Sequence, residues 1–133
     1  MKSIDLNVIF FSYTYMSKYI KEFQSCSFDS RKADADRLLG KYPDRCCIIV
    51  GKNDNSDIQD IERHKFLVPR NLTVGQFLYV IRKKITCHES QSLFVFINGK
   101  LPATSALIGS VYEENVNDDG FLYVVYSGEN TFG

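Results

Sequence analysis

The feature that most constrains the fold is a well-marked helix in the middle of the chain, placed between short apolar runs. Thr73 and Gln76 have the spacing of a capping box, in which each side chain satisfies a free backbone amide of the other residue. Apolar residues then recur at helical spacing, and the sequence Arg82-Lys83-Lys84 follows where cations favour the helix dipole. This pattern predicts a helix with one buried face, formed by Val74, Phe77, Leu78, Ile81 and Ile85.

Short apolar runs on both sides of this helix predict strands at residues 46–50, 66–68, 93–97 and 121–126. Pro69 stops the second strand, and Asn98-Gly99 is a strong hairpin-turn signal. A short helix after Thr104 should direct three residues inward, and residues 117–120 should turn the chain into the last strand; the inward residues are Leu107, Ile108 and Val111.

A further helix is predicted upstream, over residues 30–41, with Asp29 or Ser30 as its cap. Its apolar stripe consists of Ala35, Leu38, Leu39 and Tyr42. The order is then helix, strand, strand, helix, strand, short helix, strand. We predict an α+β fold of the β-grasp type, a four-stranded mixed sheet on a central helix, with additional N-terminal helix or helices.

The first 27 residues differ from the rest of the chain. Apolar and aromatic side chains crowd residues 4–15, and helical spacing begins at Met16 with Tyr19, Ile20 and Phe23. The uncharged run from 6 to 17 has 12 residues and is too short to span a bilayer. Residues 1–15 are open to three interpretations: an amphipathic segment that touches a membrane, a cover for an apolar surface, or an upstream start that cells do not use.

Composition excludes several function classes. The chain has 133 residues, 44% of them hydrophobic, which predicts one domain with a real core. Sixteen basic and sixteen acidic residues cancel, so we expect no nucleic-acid partner. Four cysteines without Cys-x-x-Cys spacing indicate free thiols of a reducing compartment, and we expect no disulfide, metal site, cofactor or catalytic residue.

Three motifs are long enough to be compared with known families: Lys-Tyr-Pro-Asp-Arg at 41–45, Phe-Leu-Val-Pro-Arg-Asn-Leu-Thr-Val-Gly-Gln-Phe-Leu-Tyr-Val-Ile-Arg-Lys-Lys-Ile at 66–85, and Asp-Gly-Phe-Leu-Tyr-Val-Val-Tyr-Ser-Gly-Glu-Asn-Thr-Phe-Gly at 119–133. They resemble the autophagy ubiquitin-like modifier family that includes GABARAP. The similarity runs without gaps from about residue 28 to Gly133. It implies a ubiquitin-like domain at 28–126, a flexible conjugation tail at 127–133, and an atypical N-terminal extension and helical start at 1–27.

The resemblance implies that Gly133 is joined to phosphatidylethanolamine. An activating enzyme and a conjugating enzyme would supply the nucleophilic cysteines, so this chain would be their substrate and not an enzyme. A terminal glycine suits that role, because it has no side chain to shield the carbonyl. A processing and delipidating cysteine protease would read Phe132. The chain would then act in the cytoplasm and, when lipidated, on the autophagosome membrane.

The resemblance also implies a groove for autophagy receptors with aromatic-x-x-aliphatic motifs, bound as a strand added to a sheet edge, which we expect at residues 46–50. The first pocket would use Asp34, Leu38, Cys47, Ile49, Lys65, Leu67 and Phe121. The second would use Phe66, Val68, Pro69, Leu72, Phe77 and Val80. Arg45 and Lys84 would meet acidic flanks of the peptide. Several of these apolar residues have core packing as an equal alternative.

Some positions depart from the family's pattern. Cys47 stands where proline is usual, Phe66 where tyrosine is usual and Lys84 where arginine is usual. Lysine at position 84 lacks the guanidinium group, which can donate two hydrogen bonds to one carboxylate. Residues 93–96 match a strand that some relatives use as a second docking face, although a core strand is the first interpretation. The alternative function is an unconjugated ubiquitin-like adaptor for trafficking or the cytoskeleton.

Overall fold

The computed structural model describes residues 17–88 and 90–130. It contains four helices and four strands in the predicted order within those ranges: α1 Lys18–Gln24, α2 Phe28–Lys41, β1 Arg45–Lys52, β2 Lys65–Pro69, α3 Val74–Lys84, β3 Phe94–Phe96, α4 Ile108–Asn115 and β4 Leu122–Ser127. Residues 1–16, on which the interpretations of the extension fall, lie outside the described residues.

The four strands form one mixed sheet in the order β2-β1-β4-β3. β1 pairs antiparallel with β2 and parallel with β4, while β3 pairs antiparallel with β4. The predicted β-grasp architecture is confirmed. The two central strands are the first and the last of the described strands, so the segment after β4 leaves from the middle of the sheet.

The sheet separates two apolar cores. The α3 core lies on the face covered by α3, and the α2 core lies on the face covered by α1 and α2. Adjacent residues of β1 alternate between them, since Cys46 belongs to the α3 core and Cys47 to the α2 core. Opposite orientation of these two thiols was predicted and is confirmed.

Helix boundaries follow their caps. Thr73 and Gln76 form the predicted capping box, with amide-to-side-chain distances of 2.9 and 3.1 Å. For α2 the predicted cap is wrong: Ser27, not Asp29 or Ser30, caps the helix and accepts a hydrogen bond from the Ser30 amide at 3.1 Å. The helix therefore begins at Phe28, two residues earlier than predicted.

The buried faces of α2 and α4 agree only in part with the prediction. In α2, Ala35 and Leu38 are buried, Leu39 is half-buried and Tyr42 is exposed, so the apolar stripe does not continue past the end of the helix. The inward assignment of Leu107 is wrong, since this residue is the N-cap of α4 and is 45% exposed. Ile108 and Val111 are buried as predicted. They lie three residues apart in α4, so both side chains are on the face of the helix that packs on the sheet.

Turn chemistry is confirmed at both predicted turns. Asn98 and Gly99 have φ values of 53° and 77°, which a type I′ turn requires, and residues 97 and 100 pair across them. Gly120 has a φ of 89°, and a Cβ there would lie 2.7 Å from the Cβ of Ala35. Glycine at 120 therefore allows α2 to approach the last turn closely.

α1 confirms the helical spacing that begins near Met16. Ile20 is fully buried in the α2 core, while Tyr19 and Phe23 are half-buried against it. Within the described ranges, none of the helices has both the length and the hydropathy to cross a bilayer.

Candidate peptide-binding groove and C-terminal tail

Among the described residues, strand β2, and not β1, offers a free edge for an added strand. The expected edge at residues 46–50 is wrong, because β1 pairs with β2 on one side and with β4 on the other. The run from Cys46 to Val50 has 0% exposure throughout. A continuous apolar run is typical of a strand that is buried on both faces, and such a strand lies in the interior of its sheet.

The outward backbone groups of β2 belong to Lys65 and Leu67. The Val50 amide donates to the His64 carbonyl at 2.8 Å, and antiparallel pairing repeats every second residue. Residues between those pairs therefore point away from β1. The Leu67 carbonyl already accepts a hydrogen bond from Arg45 Nη1 at 3.2 Å. The Arg45 guanidinium thus lies at this edge, and its contact with acidic flanks of a peptide stays a prediction.

Side chains of β2 alternate between the two faces of the sheet. Phe66 and Val68 pack on the α3 core, whereas Leu67 packs on the α2 core. A chain added beside β2 therefore has an apolar surface on each side. The predicted first pocket then falls on the α2 side and the predicted second pocket on the α3 side, and their peptide-binding role stays a prediction.

The first predicted pocket forms one cluster, but much of it is core. Leu38, Cys47, Ile49 and Phe121 meet Leu67 in the α2 core. Cys47, Ile49 and Phe121 have no exposed surface, so they form the floor below the groove and not its open walls. Leu67 is half-buried and available at the edge.

Three charged side chains lie together at the mouth of the first pocket. Asp34 makes ion pairs with Lys65 and with Arg37, the latter at 2.6 Å. The Lys65 ammonium also lies 5.9 Å from the centroid of the Phe121 ring. Partial burial opposes ionisation of Asp34, but hydrogen bonds from Lys65 and Arg37 outweigh it and lower the pKa of that carboxyl.

The sequence did not predict that α1 forms one wall of this pocket. A cavity of about 480 Å³ opens between α1, α2 and β2, lined by Phe23, Cys26, Ser30, Arg31, Ala33, Asp34, Arg37 and Lys65. The Phe23 ring meets the Phe121 ring edge-on at 5.3 Å. The helical spacing of Tyr19, Ile20 and Phe23 signalled an apolar face on α1. The surface that this face covers depends on long-range packing.

The second predicted pocket lies on the opposite face of the sheet. Phe66 and Phe77 are in edge-to-face contact at 5.7 Å, while Val68 and Phe77 are nearly fully buried. Half-buried Leu72 and Val80 line an apolar cavity of about 550 Å³ with Thr73, Gly75, Gln76, Tyr79, Thr104 and Ser105. Pro69 ends β2 beside this region and is half-buried.

Lys84 lies in the last turn of α3, four residues after Val80. Residues four apart share a helix face, so its exposed ammonium follows the second pocket along the helix. Leu93 and Val95 are buried in the α3 core, in keeping with the first interpretation of that segment as a core strand.

The tail begins from an ordered anchor. The Gly128 amide donates to Ser56 Oγ at 3.0 Å, and Ser127 Oγ accepts from the Glu129 amide at 3.2 Å. Phe132 and Gly133, the predicted recognition and conjugation residues, lie outside the described residues. Their roles stay predictions.

The raised pKa values of Cys46 and Cys47 argue against a catalytic role for these thiols. Burial raises the pKa of Cys46, and it raises the pKa of Cys47 to about 11. Thiols of that kind are mostly protonated near neutral pH and are poor nucleophiles. Across residues 17–88 and 90–130, no group of three or more His, Cys, Asp or Glu side chains could hold a metal ion.

The sequence is similar to a known protein family and to individual members of it. The family described as autophagy protein Atg8, ubiquitin like, matches residues 30–133. Autophagy-related protein 8 of Mycosarcoma maydis is 55% identical over 107 residues, covering 80% of this chain and 91% of the relative. Autophagy-related protein 8e of Arabidopsis thaliana is 52% identical over 106 residues, covering 80% and 87%.

Solved structures agree with the sequence matches. The crystal structure of Trypanosoma brucei ATG8 superposes with a TM-score of 0.79 at 45% identity, covering 88% of this chain and 98% of that one. Plasmodium falciparum Atg8 in complex with a Plasmodium falciparum Atg3 peptide superposes with a TM-score of 0.73 at 30% identity, covering 80% and 94%.

Proposed function

The chain belongs to the Atg8 family of autophagy ubiquitin-like proteins, and from that premise we propose that it is a modifier conjugated through Gly133 to phosphatidylethanolamine. Once conjugated, it acts in autophagosome formation and recruits receptors that carry aromatic-x-x-aliphatic motifs. The observation that carries the proposal is that the family match runs through the terminal glycine of a chain that also has an edge strand between two depressions.

The tail fits a substrate role. β4 ends at Ser127, and the sequence after it has no bulky residue except Phe132 before the glycine. The carbonyl of Gly133 is the group that an activating enzyme would adenylate and that a cysteine thiol would then attack. A side chain at that position would obstruct a narrow cleft, whereas glycine does not. A processing protease would read Phe132 from the same extended tail.

The groove fits a peptide in extended conformation. Lys65 and Leu67 supply outward backbone groups, and side-chain sites alternate on the two faces. Residues two apart in an added strand point to the same face, so an aromatic and an aliphatic residue three apart point to opposite faces. One anchor then meets the α2 side near Leu67, and the other meets the α3 side near Leu72 and Val80.

Partners from the conjugation machinery fit the same surface. The Plasmodium falciparum relative was solved with an Atg3 peptide. We propose that a short segment of the conjugating enzyme docks on this chain too, at the β2 edge, and leaves when receptors take its place. Two anchors, each contributing about 1.5–3 kcal/mol, less the cost of ordering the peptide, give weak affinity, to which backbone hydrogen bonds along the β2 edge add. Dense display on a membrane adds avidity.

Reconstitution tests the conjugation. The full chain is incubated with the activating and conjugating enzymes, nucleotide and phosphatidylethanolamine vesicles, and its intact mass is measured. We expect a mass gain equal to one lipid less one water, located at Gly133 by peptide mapping. A chain that binds receptor peptides but never gains this mass would instead be the unconjugated adaptor.

A further inference from the structure

We propose that His64 is a positioning residue for the first pocket: through Tyr19, it holds the Phe23 ring where a tryptophan anchor meets it. The proposal rests on the peptide groove of the proposed function, and it adds residues that decide which aromatic side chain the groove prefers. Its basis is a row of stacked rings that leads from the start of β2, along α1, to the wall of the first pocket.

The imidazole of His64 is held in one orientation by the interior strand β1. Its Nδ1 lies 2.8 Å from the Val50 carbonyl oxygen, and because a carbonyl oxygen can only accept, Nδ1 carries a proton and donates it. The Val50 amide donates in turn to the His64 carbonyl at 2.8 Å. Val50 is fully buried, so the imidazole is attached to the centre of the sheet.

The Tyr19 ring of α1 lies flat on this imidazole. The two ring centroids are 3.6 Å apart, and the ring planes differ by 7°. α1 has only seven residues, and a helix of that length has little stability of its own, so side-chain contacts decide where it lies. Buried Ile20 anchors α1 in the α2 core, and the stack on His64 fixes the rotation of the helix about that anchor.

Tyr19 passes this constraint to Phe23. The two residues are four apart and share a helix face, and their ring centroids lie 6.4 Å apart with planes 19° from parallel. Phe23 lines the cavity of about 480 Å³ that forms the α1 side of the first pocket. An indole reaches farther across such a cavity than a phenyl ring does, so a wall fixed at this place favours tryptophan over phenylalanine as the anchor.

The other neighbours of Phe23 support its ring without fixing its position along the pocket. Phe121 meets the ring edge-on at 5.3 Å, and Tyr123 meets it at 6.2 Å with a tilt of 57°. The Lys65 ammonium lies 5.9 Å from the Phe23 centroid, but this side chain is exposed and can move with the wall. The position of the wall therefore depends on α1 and on the stack that orients it.

Two substitutions separate the ring of His64 from its hydrogen bond. His64→Phe keeps an aromatic face for Tyr19 and loses the bond to Val50, whereas His64→Asn keeps an amide donor and loses the face. His88→Asn is the matched control, since this second histidine is exposed and its ring bonds to Ser90. Calorimetric titration of the full chain compares two peptides that differ only in tryptophan or phenylalanine at the aromatic position.

The native, His64→Phe and His88→Asn chains should prefer the tryptophan peptide. His64→Asn should lower this preference about threefold or more, mainly through weaker binding of tryptophan. Alanine in place of the aliphatic residue of the peptide should weaken binding by the same factor in every chain. The proposal is overturned if the native chain has no such preference, if His64→Asn keeps it, if His64→Phe loses it, or if the aliphatic factor changes with residue 64.

A fluorine label tests the positioning without any peptide. With 4-fluorophenylalanine at residue 23, the fluorine resonance should be narrow in the native chain and in His64→Phe. It should be shifted or broadened in His64→Asn, because the ring then loses its fixed place. An unchanged resonance in His64→Asn overturns the positioning by His64. A native chain that binds neither peptide contradicts the proposed groove instead, so the two failures are distinct.

Discussion

Arg31 Nε and Asp119 Oδ2 lie 3.1 Å apart in an ion pair that joins α2 to the turn before β4, across 88 residues of sequence. Asp119 is 3% exposed and also accepts hydrogen bonds from the Phe121 amide and the Tyr123 hydroxyl. Burial and the bond to Asp119 raise the pKa of Tyr123, so that hydroxyl remains a donor. The pair fastens the N-terminal helices to the strand that ends in the tail.

Breaking this pair should destabilise the fold. Arg31→Met leaves the Asp119 carboxylate buried without its cation, so we expect a loss of about 3 kcal/mol in the free energy of unfolding, measured by urea denaturation. Asp119→Asn should cost less in the Arg31→Met background than in the native chain. Equal costs in both backgrounds would show that the two side chains are not coupled.

Leu72→Ala should weaken binding of an aromatic-x-x-aliphatic peptide about tenfold, because it removes part of an apolar anchor site worth about 1.4 kcal/mol. Calorimetric titration measures the affinity. Leu101→Ala is the matched control, since Leu101 is 53% exposed and does not line the cavity. If both variants bind equally well, the second anchor lies elsewhere.

Gly133→Ala should abolish the lipid-linked form while leaving the fold intact, because the added methyl group blocks approach to the carbonyl and residue 133 lies beyond the last strand. Intact mass and vesicle flotation after reconstitution report the conjugate. Unchanged thermal unfolding is the control for folding. A vesicle-bound product of full yield would contradict the assignment of Gly133.

Two glycines should respond to alanine in opposite directions. A Cβ at Gly40 of α2 meets nothing within 4 Å, so Gly40→Ala should stabilise the chain by about 0.5–1 kcal/mol through helix propensity. A Cβ at Gly51 would collide with Ser17 and Ile20, so Gly51→Ala should destabilise it by about 1–3 kcal/mol and loosen α1. Urea denaturation compares them, and hydrogen exchange of the α1 amides locates the change.

Asp34 should make stability depend on pH in the acid range. Its folded pKa lies below the ordinary value of 3.8, so its ion pairs stabilise the fold above that value and are lost as pH falls through the lower folded pKa. Asp34→Asn should therefore show a smaller loss of unfolding free energy than the native chain between neutral pH and acid. Parallel pH profiles for the two chains would refute this contribution.

The sequence predicted well those features that depend on interactions between neighbouring residues. The capping box at Thr73, the turn at Asn98 and the opposite faces of Cys46 and Cys47 each depend on a few neighbouring residues, and all three are confirmed. Such features need no knowledge of the rest of the chain.

Long-range packing accounts for what it predicted badly. β1 was expected at an edge, yet β4 from the far end of the sequence covers it. The same pairing buries Ile49 below the groove and moves the free edge to β2. Phe23 was an apolar residue without an assigned partner until α1 was placed against Phe121. Periodicity shows that a face is buried, but not which surface buries it.

The central position of β1 also governs how the molecule transmits mechanical force. With the proposed conjugation, a lipid on the tail would pull at the end of β4, and a receptor on the β2 edge would pull at the other side of β1. Tension between membrane and cargo then crosses the parallel β1–β4 ladder over five residue pairs, from Ile48 with Leu122 to Lys52 with Tyr126. Pulling along those strands shears all of the hydrogen bonds together instead of opening them one at a time. Under the proposed function, this ladder would keep cargo attached while the membrane moves.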